Sequence, residues 1–180
     1  MQSVLLIGAK GMLGQELVKA FSDTQTYVVT AWDREDIDIT KESDVKEKIA
    51  QLWPDLIINA AAYNAVDLCE DNEEEYQKAV ALNTHAPGYI AKIAKDLGAL
   101  FVHYSTDYVF DGKRPEHLQR QPQGCCGSGC DGCMYYGPEK SIEYYEYAEE
   151  DIPHPLSNYG KTKYEGEREV AKYTNEYAII

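Results

Sequence analysis

A chain of 180 residues that is 44% hydrophobic and 27% charged holds enough apolar material for one full core, burying roughly 70% of its unfolded surface. All its apolar runs fall far short of the roughly 20 residues that cross a bilayer. A formal net charge of −14 argues against binding the phosphate backbone of nucleic acid or an anionic membrane surface.

The chain passes from Met1-Gln2-Ser3 directly into a strand-like run, without the basic and long apolar regions of a secretory signal. The cytoplasm is the expected compartment. The acid gathers in runs such as 70–75 and 143–151, which read as solvated faces.

Short apolar runs alternate with helical patterns. Ser3–Ile7 reads as a buried strand, followed by a glycine turn and a helix ending near Ser22. Tyr27–Ala31 is a second strand. Glu42–Leu52 is helical, with Val45, Ile49 and Leu52 on one stripe. Asp55–Asn59 is a third strand, opened by Pro54. Glu73–Leu97 is helical with an interruption at Pro87, which either ends one helix or sits in the first turn of the next. Gly98 suits a C-cap, and Leu100–Ser105 is a fourth strand. Strands alternating with helices predict a doubly wound parallel sheet of the Rossmann type.

The composition changes at Asp111. Residues 111–155 hold five of the seven prolines and four of the five cysteines, as expected of a long irregular excursion. Helix resumes near Ser157, a suitable cap. Tyr177–Ile180 resembles the start of a fifth strand. The expected organisation is one dinucleotide-binding domain over residues 1–180, with an irregular cysteine-rich insert at about 113–152. The domain is expected to be truncated at its C-terminal side, with a substrate domain largely absent.

Three glycines at spacing three, Gly8, Gly11 and Gly14, lie between the first strand and the first helix. Such a turn lets backbone approach a pyrophosphate, which the N–H groups at the helix start then bind. The spacing differs from the commoner Gly-x-Gly-x-x-Gly fingerprint. Asp33, 19 residues past Gly14, stands where an acid binds the adenosine ribose and favours NAD. Arg34 beside it would suit a 2′-phosphate, so NADH and NADPH both remain open. Asp38 and Ile39 are placed to flank an adenine, and a plain turn role for Asp38 fits equally well.

Tyr159 and Lys163 are four residues apart and so share a helix face. A phenol has a pKa of about 10, and a neighbouring ammonium would lower it. Tyr159 is thus a candidate general acid for carbonyl reduction, with Lys163 tuning it and holding the nicotinamide ribose. Thr106, at the carboxyl end of the fourth strand, is placed to hydrogen-bond the carbonyl, where open α/β sheets hold ligands.

Outside roughly 114–150 the chain resembles the extended short-chain dehydrogenase/reductases, and within them the dTDP-4-dehydrorhamnose reductases. The resemblance rests on the following residues: Gly8-Ala9-Lys10-Gly11-Met12-Leu13-Gly14, Asn59-Ala60-Ala61-Ala62-Tyr63, Ala65-Val66-Asp67, Leu82-Asn83, Ser105 to Gly112 and Pro155 to Glu167. It implies Thr106, Tyr159 and Lys163 as the catalytic set, with Lys10, Gly11, Met12, Leu13, Asp33, Ala60, Ala61, Ala62, Tyr63 and Lys163 lining an NADPH or NADH site. Thr106, Asp107, Tyr108 and Tyr159 would face the substrate. The implied reaction reduces the 4-keto group of dTDP-4-dehydro-L-rhamnose in dTDP-rhamnose biosynthesis. Another sugar-nucleotide epimerase or reductase, or a non-catalytic regulatory subunit, stays open, as does a homodimer. Asn64 stands where these reductases usually carry threonine, and the stretch between Gly112 and Pro155 is longer than theirs.

Cys125, Cys126, Cys130 and Cys133 fall within nine residues. This density suits zinc or an iron–sulfur cluster, with His117 or His154 as alternative ligands. Free thiols and disulfides are the other readings. Cys69 stands apart as a small core or near-surface residue.

Overall fold

A computed structural model describes residues 1–113 and 147–180. The insert cysteines Cys125, Cys126, Cys130 and Cys133, together with His117, lie outside the described residues. Five parallel strands form one sheet in the order β2-β1-β3-β4-β5. They are β1 (Gln2–Ile7), β2 (Tyr27–Trp32), β3 (Leu56–Asn59), β4 (Leu100–His103) and β5 (Tyr177–Ile179). The helices are α1 (Met12–Ser22), α2 (Glu42–Leu52), α3 (Val66–Asp71), α4 (Glu73–Ala79), α5 (Ala86–Leu97) and α6 (Asn158–Tyr173). The expected doubly wound sheet is therefore present.

Alternate residues along a strand face opposite sides, and both sides are apolar here. Leu5, Ile7, Ile57 and Phe101 pack with Val45 and Ile49 of α2, Ile90 and Ala94 of α5, and Val170 of α6. Val4, Leu6 and Ile58 pack against Leu17, Val18 and Phe21 of α1. The strand order reverses direction between β1 and β3, and a crevice at such a point is where these sheets bind ligands.

Several local expectations hold. Gly98 caps α5 with φ 70°, and Ser157 caps α6 by accepting the Gly160 N–H at 2.9 Å. The interruption expected at Pro87 is a π-helical segment, Val80–His85, and Pro87 sits in the first turn of α5. Helix α3 was not expected. The fourth strand ends at His103 rather than Ser105, because the Thr106 hydroxyl then accepts from the Tyr108 N–H and turns the chain into a 3₁₀ turn, Asp107–Val109. On the two flanks of the insert, Phe110 and Tyr147 stack with centroids 4.2 Å apart.

Among the described residues no helix is long and apolar enough to cross a membrane. No group of three or more His, Cys, Asp or Glu among them is placed to hold a metal. His154 is exposed, and its backbone N–H donates to the Val109 carbonyl at 2.8 Å.

Candidate active site

The glycine turn packs backbone against backbone. Gly8 has φ +86°, and a Cβ there would lie 2.7 Å from the Ala61 nitrogen. A Cβ on Gly14 would lie 2.1 Å from the Gly8 oxygen. These two positions let β1, α1 and the loop after β3 meet around one crevice. Gly11 precedes α1 with extended backbone and no side-chain cap, so the first helical N–H groups are open to an anion.

Asp33 braces this turn. Its carboxylate accepts the Lys10 N–H at 2.8 Å and the Arg34 N–H at 2.9 Å. Burial pushes this carboxyl up, yet the two N–H bonds outweigh it and hold the group below its ordinary value. The Lys10 ammonium turns outward to Glu35 at 2.8 Å.

The resulting cleft encloses about 470 Å³. Of the residues expected at a dinucleotide, Gly8, Lys10, Gly11, Asp33, Ile39, Ala60, Ala61 and Ala62 line it. Arg34, Ile37, Asn64 and Leu82 line it as well. Ile37 carried no signal beyond being apolar, and Leu82 entered only as part of the Leu82-Asn83 motif of the resemblance, with no site role assigned to it. Met12 and Leu13 are exposed at the start of α1, and Gly14 is buried beneath the turn.

Besides Met12, Leu13 and Gly14, three more expected residues do not line the cleft. Asp38 turns its carboxylate to the Thr40 hydroxyl at 2.6 Å and to the Lys41 ammonium, which is its turn-forming alternative. Tyr63 donates its hydroxyl to Glu75, and that bond pushes its pKa up to about 12. Lys163 is buried and does not line the cleft.

Asn83, in the π-helical segment, ties the site together. Its amide oxygen accepts the Tyr63 N–H at 2.8 Å, and its nitrogen donates to the Tyr63 carbonyl at 3.0 Å and the Thr162 hydroxyl at 3.1 Å. Helix α6 can come this close because Gly166 has no Cβ; one there would sit 2.0 Å from the backbone carbonyl oxygen of Asn83.

Tyr159 is 8% exposed, and its ring meets that of Tyr108 edge-on at 5.8 Å. Its hydroxyl donates to Asn64 over 3.4 Å, with the Thr106 hydroxyl as a second hydrogen-bonding neighbour. Asn64 therefore joins the tyrosine to the cleft. Burial lifts the Tyr159 pKa, Thr106 pulls it down, and the Asp107 charge lifts it again.

The expected lowering is not the outcome: the Tyr159 pKa stands above its ordinary value, with burial as the largest cause. The Lys163 ammonium donates to the Tyr104 carbonyl at 2.6 Å. Lys163 is 1% exposed, and burial brings its pKa down to about 8, opposed by the charge of Glu167. Asp107 is exposed at the start of the 3₁₀ turn, and its charge acts on Tyr159.

The family description "RmlD substrate binding domain" matches residues 1–180. The chain belongs to that family. It is thus an extended short-chain dehydrogenase/reductase, most like the dTDP-4-dehydrorhamnose reductases. One of these, from Aggregatibacter actinomycetemcomitans, is 37% identical over 168 residues, covering 93% of this chain and 46% of the relative. Methionine adenosyltransferase 2 subunit beta of Xenopus laevis is 31% identical, over 98% of this chain and 45% of its own length. The solved dTDP-4-dehydrorhamnose reductase of Bacillus anthracis, in complex with NADP, is 30% identical. It superposes with a TM-score of 0.77 over 99% of this chain and 52% of that one. This family member spans about half the length of the curated relatives it matches.

Proposed function

We propose that the cleft binds a nicotinamide dinucleotide and that Thr106, Tyr159 and Lys163 reduce a sugar-nucleotide ketone beside it. The finer reading is the 4-keto group of dTDP-4-dehydro-L-rhamnose, giving dTDP-L-rhamnose. One observation carries the reading: a buried tyrosine hydroxyl reaches Asn64, which itself lines the glycine-walled cleft. The cleft fits the cofactor, since the Gly8 cradle has no room for a Cβ and the start of α1 offers free N–H groups.

Bound nicotinamide supplies the hydride. Tyr159 supplies the proton that the developing alkoxide needs. Thr106 and Tyr159 both hydrogen-bond the carbonyl oxygen, so charge forming there meets two donors. Lys163, held by the Tyr104 carbonyl, positions the ribose and keeps a positive charge behind the tyrosine. Arg34 in the cleft wall supports NADPH, and the Asp33 carboxylate supports NADH. Residues 1–180 act as the dinucleotide-binding part, interrupted by the insert at about 113–152.

The test is turnover by the full-length protein containing this chain. Tyr159→Phe should cut NADPH oxidation with the keto sugar nucleotide by at least about a hundredfold. Activity within about threefold of wild type would remove tyrosine from the role of acid. A second reading, a non-catalytic partner of another enzyme, is favoured by the 31% identity to the adenosyltransferase subunit. It predicts that the same substitution changes no measured property of the complex.

A further inference from the structure

The last residues of β3 and β4 are polar where the strands behind them are apolar. Ile7, Asn59 and His103 are register partners across β1, β3 and β4. Asn59 and His103 are both fully buried. The His103 ring stacks on that of Phe101, a core residue, with centroids 6.1 Å apart.

The protons of this pair follow from its hydrogen bonds. Asn59 Oδ1 accepts the Ala61 N–H at 3.1 Å. A backbone N–H can only donate, so the amide cannot be turned over. Its Nδ2 is therefore the donor to His103 Nδ1, at 3.2 Å. The ring is neutral, because burial brings its pKa down to about 3. With Nδ1 accepting, the ring proton sits on Nε2. Nε2 is buried and has no hydrogen-bond partner among the described residues. An unpaired buried donor costs stability, and a phenyl ring would fill the place without that cost. What the imidazole adds is one acceptor aimed at Asn59.

That acceptor reaches the cleft in two steps. The Asn59 amide holds Ala61, and the Ala61 nitrogen is the atom that a Cβ on Gly8 would approach to 2.7 Å. Ala60, Ala61 and Ala62 line the cleft beside Gly8. The Ala60 N–H bonds the Ile7 carbonyl at 2.9 Å. The turn out of β3 is thus tied to β1 through Ala60 and to the Asn59 side chain through Ala61.

We infer that His103 is a positioning residue of the dinucleotide cleft: its Nδ1 locks the Asn59 amide, and that amide sets the wall at residues 60–62 against the glycine turn. The inference rests on the dinucleotide reading of the cleft. His103 acts through Asn59 and need not touch the cofactor.

The test uses the folded 180-residue chain. Ring ¹⁵N resonances should show a protonated Nε2 and an unprotonated Nδ1 for His103, recognised as the imidazole that does not titrate between about pH 8 and 5. This readout needs no variant. His103→Phe keeps a flat ring on Phe101 and removes the acceptor. NADPH should then bind about fivefold to tenfold more weakly, and the Ala61 amide should exchange about tenfold faster. His103→Gln restores an oxygen acceptor and should return NADPH affinity to within about threefold of wild type. A residue that only packs gives the reverse order, with Phe tolerated and Gln not. A proton on Nδ1 in wild type would overturn the inference. So would NADPH affinity in His103→Phe within about twofold of wild type, or His103→Gln binding no better than His103→Phe. A wild-type chain that binds no NADPH removes the dinucleotide reading instead, and unchanged Ala61 exchange in His103→Phe overturns the inference whichever way that falls.

Discussion

The Tyr159 hydroxyl reaches the Asn64 side chain across 3.4 Å, linking the tyrosine on α6 to a wall residue of the dinucleotide cleft. Removing that acceptor should loosen the tyrosine without emptying the cleft. Asn64→Ala is expected to lower kcat of the full-length protein by about fivefold, one lost hydrogen bond's worth. Asn64→Thr, which keeps an oxygen there, should lose less. Steady-state kinetics of both variants check this, and equal losses would place the effect elsewhere.

Gly8 and Gly14 carry the close approach of the turn, and each leaves no room for a methyl group. Gly14→Ala should cost about 1–3 kcal/mol through backbone overlap. Gly8→Ala adds the strain of a positive φ, about 1–2 kcal/mol more. Thermal unfolding of the two variants should show Gly8→Ala lowering Tm further. A Tm unchanged in both would mean the turn relaxes freely.

His103 is fully buried, and burial, with the Lys163 charge adding to it, brings its pKa down to about 3. Between pH 6.5 and 3 the unfolded chain takes up a proton there that the folded chain refuses. Stability from this group is therefore full above pH 6.5 and lost as pH falls, by at most about 1.4 kcal/mol per pH unit. His103→Gln should flatten the dependence of the urea midpoint on pH between 6.5 and 4. An identical slope in wild type and variant would count against a neutral buried imidazole.

Lys163 carries the opposite sign. Its folded pKa, about 8, lies below the ordinary lysine value, so its burial penalises the fold below pH 8. The penalty lifts as pH rises towards 10.5. Lys163→Met should be more stable than wild type at pH 7, with the advantage shrinking by roughly 2 kcal/mol by pH 9.5. Chemical denaturation at the two pH values measures it. Catalysis by the same variant should be lost, which would mark the buried ammonium as held at a cost to stability.

Much of this was legible in local pattern. The apolar run Ser3–Ile7, the glycine spacing and the stripe of Val45, Ile49 and Leu52 on α2 predict a strand, a turn and a helix without tertiary information. Ser157 likewise announces α6 by its side-chain chemistry. The unpredicted parts are nonlocal. Helix α3 spans Val66–Asp71, too short for a periodic signal. Asn83 spans from the β3 loop to α6, residues 20 and 79 positions away in sequence. The Lys163 ammonium shares a face with Tyr159, yet only the position of β4 reveals that the Tyr104 carbonyl captures it. Asp38 drew its site role from its place in the loop after β2 and Tyr63 from resemblance, and nearer partners take their side chains.

The most direct measurement is equilibrium titration of the folded 180-residue chain with NADPH, followed by energy transfer from tryptophan to the reduced nicotinamide. The Trp32 carbonyl accepts the Gly8 N–H at 2.9 Å, so a donor stands at the turn. Saturable one-to-one binding with a Kd of roughly 100 µM or tighter, abolished by Gly8→Val, is the expected result. A folded chain that shows no binding at millimolar NADPH or NADH would contradict the dinucleotide cleft and the chemistry built beside it.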